Sequence, residues 1–234
     1  MPDSGWFYDE LRQVGTDFED AGAVAAYDRN QGARVERERT LIAQLGLGPG
    51  ATVIDLGCGT ASFALEAARA GIRVFAVDVS RAMLTYAQSK AEAESLEGLS
   101  FHRGGFLTYR HSAAPVDAVV SRYALHHLPD FWKMAALVRI AAMLEDGGQF
   151  YLEDVAFSFE PLDYRAGIES WIKAVAKPAG EGFTRDDFET HVREEYSTFG
   201  WILETMLARA GFRIDAADYA SGAYASYLCI KPGA

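Results

Sequence analysis

The sequence predicts an α/β fold: a three-layer sandwich with a mostly parallel, seven-stranded sheet, a C-terminal antiparallel hairpin and a helical cap. Two observations predict it. Apolar runs typical of buried strands alternate with segments of helical periodicity between residues 52 and 155. Two β-rich runs, 212–219 and 224–231, then follow each other across Ser221 and Gly222, which is typical of a hairpin.

The other elements follow from local composition. A strand is predicted where a short apolar run lies between turn residues, and a helix where apolar residues recur every three or four positions. The strands predicted in this way are 52–56, 72–77, 99–102, 116–121 and 149–155. The helices predicted between and after them are 60–70, 131–144 and 201–210, the last of which ends at Gly211.

The turn that follows the first strand carries the strongest functional signal. Gly57 and Gly59 enclose Cys58, and glycine allows the backbone to turn sharply and to lie directly against a ligand. Asp78 ends the second strand about 20 residues further on, where nucleotide-binding α/β folds place the acid that accepts the ribose hydroxyls. This spacing predicts a nucleotide-type cofactor at the carboxyl ends of the strands.

Asp55 narrows the choice of cofactor. It lies two residues before Gly57, at the carboxyl end of the first strand, and faces the same crevice. A pyrophosphate would be repelled by this carboxylate, whereas a ligand with an ammonium and a sulfonium group and no phosphate would be attracted. S-Adenosylmethionine is such a ligand. We favour it over two alternatives, a dinucleotide and a purely structural turn.

Four motifs occur in an order that resembles a known family. They are VIDLGCGT at 53–60, VFAVDVSRAML at 74–84, SRYALHHLPD at 121–130 and LEDGGQF at 144–150. Together they resemble the class I S-adenosylmethionine-dependent methyltransferases, in the branch that includes ubiquinone and menaquinone biosynthesis methyltransferases. The resemblance implies a Rossmann-like sandwich and methyl transfer from S-adenosylmethionine, and it leaves the methyl acceptor open.

The resemblance also implies which residues contact the cofactor. They are Tyr27, Asp55, Gly57, Cys58, Gly59, Asp78, Val79, Met83, Gly105, Phe106, Ser121 and Arg122. Two departures matter. Ala61 replaces the third glycine of the first motif, which adds one methyl group. After the third strand many relatives have an acid that bonds the adenine amino group, whereas this chain has Arg103-Gly104-Gly105-Phe106, so backbone groups near Gly105 and Phe106 are expected to recognise adenine.

Four polar residues lie after the fourth strand or at the end of the fifth, near the expected position of the transferred methyl group. His126 is the candidate general base for a protonated acceptor, and the alternative is a structural histidine that holds its loop. His127 is expected to face inward and pack. Glu153 is the second catalytic candidate and Asp154 a candidate substrate contact, and the alternative for both is hydrogen bonding to the backbone.

Two segments outside the core are expected to form caps over the acceptor: 1–40, a helical N-terminal cap, and 156–198, an inserted cap. Both contain aromatic residues, which suit a pocket wall, although surface decoration is the alternative. Tyr8 and Trp171 in these caps, with Tyr123 of the core, are the other predicted substrate contacts.

The inserted cap has a pattern of its own. It contains a predicted helix at 161–177, a glycine-containing loop at 177–182, and a second helix that begins near Arg185. Thr184 and Asp187 have the spacing of a capping box at its start.

Length and composition fit one domain over residues 1–234, with a core at 41–155 that residues 199–234 complete. The formal charge of −11 opposes nucleic acids and anionic membranes as partners, so a small-molecule substrate is expected. The alternatives are a protein or RNA acceptor, and a regulatory protein that binds the cofactor without turnover. The oligomeric state stays open.

The histidines, the cysteines and the amino terminus indicate whether a metal site is expected and in which compartment the protein is expected to act. The five histidines and two cysteines show no spacing typical of a metal site, so we expect no metal. The amino terminus lacks the pattern of a signal peptide, and no apolar run has the roughly 18 residues of a membrane span. A cytoplasmic enzyme is therefore expected.

Overall fold

The computed structural model describes residues 5–12, 19–31 and 35–233. Phe18, one of the aromatic residues of the predicted N-terminal cap, lies outside these ranges. The described helices are α1 (Ala21–Gln31), α2 (Val35–Gln44), α3 (Ser62–Arg69), α4 (Arg81–Ala93), α5 (Asp130–Met143), α6 (Tyr164–Val175), α7 (Arg185–Glu194) and α8 (Gly200–Arg209). The described strands are β1 (Thr52–Leu56), β2 (Arg73–Asp78), β3 (Leu99–Arg103), β4 (Val116–Arg122), β5 (Leu144–Phe157), β6 (Thr198–Phe199), β7 (Arg213–Ala220) and β8 (Tyr224–Ile230).

The strands form one mixed sheet in the order β3-β2-β1-β4-β5-β8-β7. Strands β1 to β5 are parallel, and β8 is antiparallel to both β5 and β7, so the predicted C-terminal hairpin is confirmed. The sheet has eight strands where seven were predicted, because the two-residue β6 pairs with the end of β5. Such a short strand leaves no periodic signal in the sequence.

Helices cover both faces of the sheet. Within β1, Val53 packs with α2, α3 and α4 on one face, and Ile54 packs with α5 and α8 on the other. Both side chains are fully buried, as expected for a parallel strand that is covered on both sides. These two cores make the predicted three-layer sandwich.

Two element boundaries differ from the prediction. Strand β5 begins five residues before the predicted residue 149, because Leu144 already pairs with Val116 ahead of the glycine turn. The predicted helix 161–177 is a short 3₁₀ turn, Pro161–Asp163, followed by α6. Helix α6 ends at Val175. This end is consistent with Pro178, because a proline disfavours helical dihedrals at the residue that precedes it.

The inserted segment lies over the carboxyl edge of the sheet as two helices, α6 and α7. The ring of Trp171 is 2% exposed and contacts the rings of Phe188 and Tyr224. Thr184 and Asp187 form the predicted capping box at the start of α7. Among the described helices, none has the length and apolar character needed to cross a membrane. The division into a core and two caps stays a prediction.

Candidate active site

The carboxyl ends of β1, β2 and β4 border a cavity of about 590 Å³, and a smaller cavity of about 50 Å³ adjoins it behind the glycine turn. The predicted residues that line the larger cavity are Tyr8, Tyr27, Gly57, Gly59, Asp78, Val79, Met83, Gly105, Phe106, Arg122, Tyr123, His126 and Trp171. Asp55 and Cys58 line the smaller cavity. Ser121, Glu153 and Asp154 line neither of the two.

The glycine turn is held against strand β2 and the loop after β4. The backbone N–H groups of Gly57 and Cys58 both donate to the carbonyl of Val77, at 2.8 and 3.0 Å. Gly57 has a φ of +75°, and a Cβ at this position would overlap the Cβ of Ala124 in the loop after β4. Only glycine meets both conditions, so the backbone itself forms this wall of the cavity.

Asp78 presents its carboxylate at the cavity wall. One oxygen accepts the N–H of Gly59 at 2.8 Å, and the other accepts the N–H of Ser80 at 2.9 Å. Burial raises the pKa of this carboxyl, and the backbone donors oppose that effect. A carboxylate oxygen accepts more than one hydrogen bond, so Asp78 keeps the capacity to bind a ribose diol.

The smaller cavity brings two acids to one guanidinium. The Glu38 side chain, on α2, is buried, and its Oε2 lies 2.9 Å from Nη2 of Arg122. Although this ion pair is close, neither Glu38 oxygen accepts a hydrogen bond from the described residues. Burial raises the pKa of Asp55 to about 7 against the lowering effect of Arg122, and Glu38 adds to the rise.

These groups fit the amino-acid end of S-adenosylmethionine. Two buried acids facing one cation favour an added positive charge, and the Glu38 oxygens need a donor that the described part of the chain does not supply. An ammonium group is both a cation and a donor. Glu38 was not predicted, because a glutamate in a charged helix such as VERERTLIAQ gives no sign that it is buried.

The far half of the larger cavity is aromatic. Its walls include Tyr123, Trp171, Phe183, Phe188 and Tyr224, most of them on or beside the inserted segment. Tyr123 has a φ of +52°, and its hydroxyl donates to Glu153 at 2.7 Å. The left-handed conformation is costly for tyrosine, and the bonds to Glu153 hold it in place.

Glu153 is engaged away from the cavity. Both of its carboxylate oxygens accept from the guanidinium of Arg37, and one also accepts from the hydroxyl of Tyr123. An ion-paired carboxylate that does not line the cavity is poorly placed to accept a substrate proton. The geometry therefore argues against the predicted catalytic role, and it also differs from the predicted alternative of backbone bonding.

His126 lies between two carboxylates. Its Nδ1 donates to Asp154, and its Nε2 lies 3.2 Å from Oε2 of Glu195, which also pairs with His191. Burial would lower the pKa of His126, but Asp154 and Glu195 outweigh it and raise the pKa to about 9. A ring that already carries its proton is not a base at neutral pH, which favours the structural alternative.

Three side chains in this region also lie close enough together to be considered as metal ligands. Ligand atoms of His126, His127 and Glu195 lie within 4.8 Å of one another. Because both nitrogens of His126 are engaged by carboxylates, we interpret the group as an ion-pair network. This network connects the inserted segment to the loop after β4. The backbone N–H of Tyr196, in the inserted segment, also donates to the backbone carbonyl of His126 in that loop.

His127 differs from the prediction that it packs inward. It lines the larger cavity and is partly buried. Burial and the neighbouring charge of His126 lower its pKa to about 4, so the ring is neutral at physiological pH. The hydroxyl of Tyr8 donates to the backbone carbonyl of His127 at 3.3 Å, which brings the N-terminal segment to the same position.

The His126 network predicts a pH-dependent stability. The folded-state pKa of about 9 lies above the ordinary histidine value of 6.5, so the folded protein binds this proton more tightly than the unfolded chain. The stabilisation is complete below 6.5 and is lost as the pH rises through about 9, by roughly 3 kcal/mol at most. Denaturant unfolding at several pH values between these limits measures this slope.

A matched pair of variants assigns the slope to this residue. His126→Gln should be less stable, because Asp154 and Glu195 lose their buried cation, and the slope between pH 6.5 and 9 should be largely absent. His111→Gln, in a histidine outside the network, should keep the slope. Equal slopes in the wild type and His126→Gln would contradict the prediction.

Comparisons with known proteins agree with this geometry. The model of a family described as "Methyltransferase domain" matches residues 53–148. An uncharacterized methyltransferase from Geobacillus kaustophilus is 30% identical over 166 residues, which cover 70% of this chain and 69% of that protein. A second one, from Geobacillus thermodenitrificans, is 28% identical over 72% of each chain.

Solved structures share the fold. Magnesium protoporphyrin IX methyltransferase from Synechocystis PCC 6803 with bound S-adenosylmethionine superposes with a TM-score of 0.66 at 18% identity, over 97% of this chain and 100% of that one. Phosphoethanolamine N-methyltransferase 2 from Haemonchus contortus gives 0.68 at 15% identity, over 92% of this chain and 58% of that one. At such identities the likeness establishes the fold alone. With the family match and the relatives, the chain belongs to the class I S-adenosylmethionine-dependent methyltransferases.

Proposed function

We propose that this enzyme transfers the methyl group of S-adenosylmethionine to a small molecule with an aromatic or similarly apolar body, and that it acts in the cytoplasm. The observation that carries the proposal is the continuity of the larger cavity, which runs from Gly57 to aromatic walls on the inserted segment. Trp171 and Phe188 supply walls of a size that suits a small apolar ligand. Both cysteines are unpaired and buried, which supports a reducing compartment.

The cofactor-binding residues divide by chemistry. Asp78 would accept the ribose hydroxyls, and Asp55 with Glu38 would attract the ammonium group. Val79 and Met83 would pack against the adenine, and the glycine turn would let the backbone lie against the ligand. Bound there, S-adenosylmethionine supplies an electrophilic methyl group for an in-line displacement.

His127 is the base that the geometry favours. With a pKa of about 4 the His127 imidazole is a weak base, but it is neutral at the cavity wall and can accept the acceptor's proton as methyl transfer makes that proton acidic, whereas the protonated His126 cannot. Tyr8 and Tyr123 flank the same region and would orient the acceptor. The aromatic walls would exclude water, so that positioning supplies much of the rate enhancement.

Two alternatives are weaker. A regulatory protein without turnover is less well supported, because the cavity stays continuous from the glycine turn to His127. A nucleic-acid acceptor is less well supported because Glu10, Asp187 and Glu195 bring carboxylates to the cavity wall, where phosphates would be repelled.

The proposal is tested with S-adenosylmethionine labelled in its methyl group. The full-length protein is incubated with a panel of phenols, aromatic amines and aromatic acids, and the release of S-adenosylhomocysteine is followed. Label should enter a small aromatic acceptor. Transfer only to protein or RNA from a cell extract would contradict the proposal.

The first prediction concerns the ribose acid. Asp78→Ala should weaken S-adenosylmethionine binding by about two decades or more, since charge-assisted hydrogen bonds contribute about 1.5–3 kcal/mol each. Asp163→Asn, at an exposed acid that lines neither cavity, should bind as the wild type does. Titration calorimetry measures both. Unchanged binding by Asp78→Ala, or tight NAD binding by the wild type, would contradict the assignment.

The second prediction concerns the pKa of Asp55. A cationic ligand favours the ionised carboxyl, and its pKa of about 7 lies within the measurable range, so affinity should rise about tenfold from pH 6 to pH 8. Asp55→Asn should bind more weakly at pH 8 and lose this rise. 5′-Methylthioadenosine, which lacks the ammonium group, should bind the variant and the wild type equally. An unchanged pH profile in Asp55→Asn would refute the electrostatic role.

The third prediction concerns catalysis. For an acceptor that carries a proton, His127→Gln should lower kcat by about 10–10², the low end for general-base catalysis because the pKa of His127 lies well below neutral, while the affinity for S-adenosylhomocysteine is unchanged. Because its pKa is about 4, the wild-type rate should stay flat through neutral pH and fall only in acid. His102→Gln, on β3, is the control. A full rate in His127→Gln would remove this residue from the mechanism.

A further inference from the structure

The loop after β3 lacks an acidic side chain where the cofactor base should lie. Asp78 ends β2, and Val79 follows it along the cavity wall, next to the loop that begins with Gly104 and Gly105. A base attached to a ribose at Asp78 would extend along this wall. The exocyclic amino group of adenine is a hydrogen-bond donor, so the wall needs an acceptor there.

Glu10 brings a carboxylate to this position from the N-terminal segment. Its side chain is 9% exposed and lines the larger cavity. One oxygen, Oε2, accepts the N–H of Leu107 at 2.9 Å, and the other, Oε1, accepts the N–H and hydroxyl of Thr108 at 2.7 and 2.6 Å. Three donors from one loop therefore hold the carboxylate in a defined orientation.

Gly105 leaves the space that this carboxylate occupies. A Cβ built on Gly105 would lie 2.7 Å from Oε2 of Glu10 and 2.9 Å from Cγ1 of Val79. The Glu10 carboxylate thus lies where a side chain at residue 105 would begin, beside the residue that follows the ribose acid. A carboxylate has about four lone-pair sites. The donors of the described loop occupy two lone-pair sites on Oε1 and one on Oε2. One lone-pair site therefore stays open on Oε2, the oxygen nearest Gly105.

We propose that Glu10 is the residue that recognises adenine, by accepting a hydrogen bond from its exocyclic amino group. The N-terminal segment thereby supplies an acid that the β3 loop does not carry. The inference rests on the cofactor of the proposed function and is independent of the acceptor. The competing interpretation is that Glu10 only anchors the N-terminal segment to the loop.

The test compares two ligands on the full-length protein by calorimetry, with no acceptor present. They are S-adenosylhomocysteine and S-inosylhomocysteine, in which a carbonyl oxygen replaces the amino group. The wild type should prefer the adenosyl ligand by at least about tenfold, because the carbonyl would face the carboxylate. Glu10→Gln should lose most of this preference, since an amide can donate to the carbonyl.

Asp9→Asn is the matched control. Asp9 is exposed, and its side chain accepts the N–H of Leu11, a bond that asparagine can also accept. This variant should keep the wild-type preference. If Glu10 were only an anchor, Glu10→Gln would weaken both ligands by the same factor, and their ratio would stay at the wild-type value. That result would overturn the proposal.

A second pair of variants tests the proposal without relying on Glu10→Gln alone. Glu10→Ala should lose the preference, and adding Gly105→Asp in that background should restore at least part of it, because the new carboxylate would enter the space that Glu10 left. Gly105→Asp alone should weaken both ligands, since its side chain would collide with Glu10. Thermal melts establish that each variant is folded. A folded Glu10→Ala variant that keeps the wild-type preference would also overturn the proposal.

Discussion

The position of β1 between β2 and β4 is the constraint on which the site depends. The chain runs outward from β1 to β3 and then returns to the other side of β1, so the loops after β1 and β4 leave the sheet in opposite directions. A crevice opens between them. Gly57 approaches Ala124 closely in this crevice, and Gly57 lines both cavities.

The buried acids around this crevice differ in charge because their partners differ. Asp154 and Glu195 are both held ionised by His126, which lowers their pKa values against the effect of burial. Lys133 also lowers the pKa of Asp154, and His191 also pairs with Glu195, so more than one basic group faces each of these acids. Asp55 and Glu38 share one Arg122, so the smaller cavity keeps an excess of negative charge. The uneven neutralisation directs a cationic ligand to the glycine turn.

The sequence predicted the contacts that are local along the chain. Residues 52–78 form one strand–turn–helix–strand unit, so the position of Gly57 and Asp78 at the cavity could be predicted from their spacing. The hairpin was predicted from two β-rich runs on either side of Ser221 and Gly222. The predictions differed from the structure where two distant segments meet. Glu10 bonds a loop 97 residues away, and Glu153 pairs with Arg37 across 116 residues.

His126 illustrates the same limit within one motif. Its position at the end of β4 was predicted, but its protonation state depends on Glu195, which belongs to the inserted segment. A histidine with one carboxylate and a free nitrogen would suit a base, and a second carboxylate converts it into a fixed cation. Local patterns therefore locate a side chain well, whereas its chemical state depends on tertiary contacts.

Tyr8 and Glu10 lie in one short described stretch, 5–12, and reach the two halves of the cavity. Glu10 bonds the loop after β3, and Tyr8 bonds the loop after β4. One short stretch of chain therefore contributes wall residues to both halves of the cavity. A displacement of this stretch would change both walls together.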